Sequence, residues 1–208
     1  MEPKPLSFDQ TKLSGISDKT LAIHHDKLYQ GYVNKTNEID QKLTELRKSG
    51  QYEGNATYSE LRALKDAETF ARNGVYLHEW YFDGLRPSVD SGQLSVDSQA
   101  PELSKALAEK WGTLENGLKY FSACAMAARG WSVLCWDTKA GTLMHYNGDA
   151  HNQGGVWGCL PIIVLDVYEH AYFIDFGSDR KAYIEAFWKN FNWTKTEELY
   201  LKAKQVKL

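Results

Sequence analysis

The sequence predicts an α+β fold. An N-terminal helical hairpin lobe, residues 1–89, is followed by a C-terminal lobe, residues 90–208, with a three-stranded antiparallel sheet and helices. Three observations lead there. Residues 18–50 and 58–85 carry apolar and aromatic positions at helical spacing. The stretch 87–98, PSVDSGQLSVDS, is a linker by composition. Beyond it, helical patterns and three short apolar runs are segregated in the chain, the mark of an α+β lobe.

In order, Ser17 and Asp18 are candidate caps for the first helix, and Asp40, Lys42, Glu45, Arg47 and Lys48 mark its solvated face. Residues 50–55 are polar and turn-rich. The second helix closes the hairpin. Its segment Asn73-Gly-Val-Tyr-Leu-His-Glu-Trp-Tyr-Phe82 is apolar nearly all round, which predicts burial. Helices are expected over 101–111 and 114–128, strands over 131–136, 142–146 and 161–165, and closing helices over 179–190 and 197–205.

With 208 residues, 43% hydrophobic and 13% aromatic, the chain can bury a sizeable core. A net charge of −3 gives no reason to expect nucleic acid as a partner. No window reaches the length of a membrane span, and Met1-Glu-Pro-Lys-Pro-Leu6 lacks the apolar run of a secretory signal. Cys124, Cys135 and Cys159 are odd in number and set in apolar surroundings, so they read as buried thiols in a reducing compartment. The expected location is cytoplasmic, with no membrane partner.

The chemistry concentrates in Asp166-Val-Tyr-Glu-His170, at the end of the apolar run 160–165. Buried charge is costly unless paired or bound to a metal. A carboxylate at a strand end with an imidazole four residues later supplies half of a mixed nitrogen/oxygen metal site. The bland alternative is an Asp capping the next helix beside a packed His. Six histidines are present: His24, His25, His78, His145, His151 and His170. A single buried His is more often a hydrogen-bonded core residue than a ligand. His24 and His78, on separate long helices, extend Asp166 and His170 to a three-His, one-Asp set.

The segments Ile23-His-His-Asp-Lys…Tyr32, Leu77-His-Glu-Trp-Tyr-Phe82, Gly130-Trp131 and Asp166-Val-Tyr-Glu-His-Ala-Tyr172…Ala186-Phe-Trp188…Asn192-Trp193 resemble the iron/manganese superoxide dismutase family across nearly the whole chain. The resemblance implies that His24, His78, Asp166 and His170 hold one iron or manganese ion. It implies that the metal alternates between M³⁺ and M²⁺, converting superoxide to dioxygen and hydrogen peroxide. It makes Tyr32 the gateway tyrosine and Arg180 the arginine that steers superoxide, with Lys181 where the family has Pro. The family holds metal-bound solvent with a Gln or His from one of two places. One of them is Gly74 here; the other falls on His151, with Gln153 as rival if the register slips. His145 is expected to be structural.

The resemblance also implies a homodimer in which Glu169 reaches the opposite subunit's His170 and fixes its tautomer. The chain departs from the pattern at three places. Tyr168 stands where the family has Trp; Leu28 and Phe173 stand where it has a His and a Tyr bonded to each other across the interface. Losing both polar partners together can be nearly neutral, so this paired change fits a retained interface. His151 in place of Gln, and Val164 two residues before Asp166, favour iron. The competing readings are a non-catalytic iron- or manganese-binding protein of the same fold, and a helical interaction module whose histidines only pack.

Overall fold

The computed structural model describes residues 1–88 and 95–206. The expected division at residue 89/90 therefore lies outside the described residues, as does part of the expected linker.

A 3₁₀ turn, Gln10–Lys12, precedes α1, Asp18–Ile23, which Ser17 caps by accepting from the Thr20 amide. The helix does not run on as regular α. It passes through a π-helical stretch, His24–Tyr29, before resuming as α2, Gln30–Ser49. Gly50, at φ 66°, stops it in the left-handed conformation that glycine adopts without penalty. α3, Glu60–Asp83, starts at its Ser59 cap and returns antiparallel to α2. Ile39, Leu43, Leu64 and Ala71 fill the seam at the outer end of this hairpin.

In the second lobe, α4, Val96–Gln99, forms inside the stretch read as linker because Ser95 caps it. Next come α5, Pro101–Trp111, with proline in its first turn, and α6, Leu114–Ala127, capped by Thr113. The sheet has β1, Trp131–Asp137, at its centre, flanked by β2, Thr142–Gly148, and β3, Cys159–Asp166, both antiparallel to it. β3 thus starts two residues before the expected run. After a 3₁₀ turn, Glu169–Ala171, come α7, Phe173–Phe176, α8, Arg180–Lys189, and α9, Trp193–Gln205.

α9 begins four residues earlier than expected, since Asn192 is its cap. Glu197 does not open that helix. Its carboxylate accepts from the Glu102 and Leu103 amides and so caps α5 from a distance in sequence. The cysteines also differ from expectation: Cys135 is buried, but Cys124 and Cys159 are only half-buried.

One large core joins hairpin and sheet, including Leu21, Val75, Tyr81, Trp131, Val133, Leu165, Tyr183 and Phe187. Buried Asn190 clasps the N-terminal segment, accepting from the Ser14 amide and donating to the Ser14 carbonyl. Asp175 accepts from the Ser17 amide and the Thr20 hydroxyl at the start of α1. These contacts tie the start of the first helix to α7 and to the end of α8, in the lobe that carries Asp166 and His170. Among the described residues, no helix is long and apolar enough to cross a membrane.

Candidate metal centre

Four elements converge on one point. His24 opens the π-helical stretch, His78 lies on the buried face of α3, Asp166 ends β3, and His170 sits in the following 3₁₀ turn. Their donor atoms all lie within 4.8 Å of one another. The Nε2 atoms of His24, His78 and His170 stand 3.1, 3.6 and 3.2 Å from Asp166 Oδ2. His24, His78 and Asp166 are fully buried, and His170 is half-buried.

The hydrogen bonds behind these atoms decide what the cluster can hold. His78 Nδ1–H donates to the Gly74 carbonyl at 2.5 Å, which leaves a lone pair on Nε2. That lone pair faces a carboxylate oxygen, which is also an acceptor. Two buried acceptors aimed at each other are repulsive unless a cation lies between them. His78 Nε2 and His24 Nδ1 have no hydrogen-bond partner among the described residues, so His24 too has a buried ring nitrogen unmatched. Three imidazoles and one carboxylate around a shared point suit a borderline first-row ion. The residues fit a divalent or trivalent metal, and they do not fit plain core packing.

Burial drives the His24 imidazole below its ordinary pKa and pushes His78 down to about 3, so His78 is neutral and free to ligate. Burial alone would raise Asp166. The adjacent His170 and His24 outweigh it and hold the carboxyl below its usual range. For His170 burial opposes charge, but Asp166 beside it raises the imidazole. Asp166 is held in place by the Tyr168 amide at 2.9 Å on Oδ1, and its main-chain carbonyl accepts from Tyr183 Oη at 2.7 Å.

Around the four lies an aromatic wall. The Tyr32 ring stands 5.4 Å from His78 and 4.7 Å from His151, packed over Gly74 so closely that a Cβ there would lie 2.8 Å from it. Gly74 thus makes room for Tyr32 and supplies the carbonyl that orients His78. His151 is buried, 5.9 Å from His78, and burial pushes it down to about 4. Gln153, its rival, is exposed. Tyr168 stacks on His170 at 5.4 Å, and its hydroxyl donates to the Asp149 carbonyl.

Trp131 carries a contact that the sequence reading missed: its Nε1–H donates to His151 Nδ1 at 2.9 Å. Gly130-Trp131 was visible as part of a motif, but the direction of an indole N–H was not. Arg180 makes its contacts elsewhere, donating to the Ala128 and Met126 carbonyls and to Tyr172 Oη. His145 bonds Ser132 Oγ at 2.9 Å between Tyr120 and Phe121, a packing role, and His25 bonds Asp26 and the Lys4 carbonyl.

Comparison with known proteins decides the family. The "Iron/manganese superoxide dismutases, alpha-hairpin domain" matches residues 4–86, and the "Iron/manganese superoxide dismutases, C-terminal domain" matches 99–199. The chain belongs to the iron/manganese superoxide dismutase family. An iron superoxide dismutase of Aquifex pyrophilus is 41% identical over 203 residues, covering 98% of this chain and 92% of the relative. A manganese superoxide dismutase of Halobacterium salinarum is 34% identical over 203 residues, covering 97% and 96%. An iron superoxide dismutase of Tetrahymena pyriformis is 31% identical over 201 residues, covering 95% and 99%. Iron/manganese superoxide dismutases are oxidoreductases of the architecture described above, a helical hairpin followed by a three-stranded sheet with helices.

Proposed function

We propose that this protein disproportionates superoxide, two superoxide ions and two protons yielding dioxygen and hydrogen peroxide, at one ion held by His24, His78, Asp166 and His170. The observation that carries the reading is the convergence of three Nε2 atoms on Asp166 Oδ2, with two of the facing atoms acceptors. Iron or manganese, when bound, would take one electron from a first superoxide and return it to a second.

The chain's residues supply position, protons and charge. Gly74 fixes the tautomer of His78, and the Tyr168 amide fixes Asp166. Trp131 occupies His151 Nδ1, so the neutral ring keeps its proton on Nε2 and serves as a donor. Tyr32, half-buried against His151, is placed to pass protons and to narrow access. Arg180 adds positive potential that draws in a small anion.

We further infer a homodimer. Glu169, Phe173 and Ile174 are exposed, with Phe173 at 56%, and Leu28 is half-buried beside Gly31 and Tyr32 in an apolar groove. An apolar surface around an exposed carboxylate beside a ligand histidine suits a partner that covers it. The two family matches support reading residues 1–89 and 90–208 as two domains. A cytoplasmic location rests on the free thiols alone. A non-catalytic iron- or manganese-binding protein of this fold finds no support in the relatives, which are named superoxide dismutases.

Iron is the favoured metal. Manganese in such a site has the more positive potential and needs the stronger depression, and a His donor at 151 departs from the commonest manganese arrangement. Val164, buried in β3 opposite Val133, adds bulk beside Asp166. Superoxide consumption by iron- and manganese-reconstituted protein tests the reading. Iron-loaded protein is expected to be at least as active, and Val164→Gly to move the ratio toward manganese. Inactivity of both loaded forms would refute the function; activity confined to manganese would refute the preference.

A further inference from the structure

Away from the metal centre, three sulfur atoms meet on one face of the sheet. The ladder sets Cys135 of β1 opposite Met144 of β2, and Asp137 opposite Cys159 of β3. Side chains alternate along a strand, so Cys135, Met144 and Cys159 share a face. Cys159 Sγ donates to Met144 Sδ at 3.9 Å, Cys135 Sγ donates to the Met144 carbonyl at 3.3 Å, and the two thiols lie close enough to influence each other's ionisation. Sulfur donors at about 2.3 Å from a common ion lie about 3.8–4.0 Å apart, and the Cys159–Met144 separation of 3.9 Å matches that spacing.

The same ladder argues against a disulfide. Cys135 faces Pro161, not Cys159. Such diagonal neighbours lie roughly 7–8 Å apart at Cα, beyond what an S–S bond spans without backbone movement. Burial pushes both thiols up, which keeps them protonated and poor nucleophiles. Asp137 Oδ1 is taken by the Lys139 and Ala140 amides, so its carboxylate contributes negative charge beside Cys159. Cys135 is buried while Cys159 and Met144 are half-buried, which leaves an approach from one side.

We propose that Cys135, Cys159 and Met144 form a second metal site that takes one Cu(I) ion per chain, separate from the His24/His78/Asp166/His170 centre. Two thiols and a thioether are soft donors, the set that selects Cu(I) among first-row metals. Entry of the ion displaces one proton from each thiol to solvent, and no electron is transferred. Trp131, at the metal-centre end of β1, is four residues from Cys135, so the two sites are about 13 Å apart along the strand.

The test uses protein already loaded with iron or manganese, titrated anaerobically with Cu(I) held as its coloured bicinchoninate complex. Wild type is expected to withdraw one Cu(I) per chain and to gain ultraviolet thiolate-to-copper absorption. C159S should abolish both, M144L should weaken binding about tenfold, and C124S should match wild type. Superoxide consumption should be equal in all four. Failure of wild type to withdraw copper, or undiminished withdrawal by C159S, overturns the site. Should C159S not fold, unchanged affinity in M144L overturns it instead.

Discussion

Trp131 donates its indole N–H to His151 Nδ1, and a single hydrogen bond thereby sets where the His151 proton resides. Replacing Trp131 with Phe keeps an aromatic ring in the core but leaves a buried nitrogen without its donor, at a cost of about 1–3 kcal/mol. The imidazole can then adopt either tautomer. We expect W131F to keep its full metal content while kcat falls about tenfold, measured by metal analysis alongside superoxide consumption. Unchanged kcat would remove Trp131 from the proton path. The four candidate ligands were legible as a set of three His and one Asp in apolar contexts, which the family resemblance singled out from packed histidines such as His145. Trp131 was not, because a tryptophan among apolar residues reads as core until its N–H direction is known. Gly74 was noticed for lacking a side chain, whereas its use lies in its carbonyl and in the space it leaves for Tyr32.

The first helix breaks from α to π geometry at His24, and π-turns of this kind gather at functional sites because they re-aim a side chain within a continuous helix. Periodicity could not reveal this, since one wider turn scarcely alters an apolar pattern over thirty residues. The caps at Ser17, Ser59, Thr113 and Asp179 follow local rules, and the starts of those helices were accordingly legible, whereas the Asn192 cap was not read. Glu197 obeys no local rule: it caps α5 across 94 positions of sequence from Leu103. Glu197→Ala should lower stability by about 1–3 kcal/mol, with Glu197→Gln intermediate, as read from urea midpoints. An Ala variant as stable as wild type would show that cap to be idle. On β2, burial pushes His145 down to about 4. Its folded pKa lies below that of the unfolded chain, near 6.5, so between those values the unfolded chain binds more protons. Stability therefore falls as pH drops through that window and levels off below it. The stability advantage of wild type over His145→Gln should shrink between pH 7 and pH 5, and an advantage that widens instead contradicts the burial of a neutral imidazole.

The whole molecule holds its site by clamping a helical hairpin onto a sheet through Asn190, Asp175 and one shared core. Each half alone supplies two of the four proposed ligands: His24 and His78 from the hairpin, Asp166 and His170 from the second lobe. The two-lobe architecture was legible because linker composition and the change of hydrophobic period both fall near residue 90. The clamp was not, because Asn190 and Asp175 act at sequence distances of 176 and 158 residues. Beyond the single chain, Glu169→Ala should weaken the dimer and lower activity, measured by light scattering across a dilution series. A fully active monomeric wild type would exclude the inferred interface. The central claim, that these four side chains hold one iron or manganese ion, is tested most directly by the metal content per chain of wild type, His78→Ala and Asp166→Ala purified in parallel. Wild type should carry about one ion and each variant no stably bound metal, while circular dichroism shows the fold intact. Full occupancy in either variant would contradict the assignment.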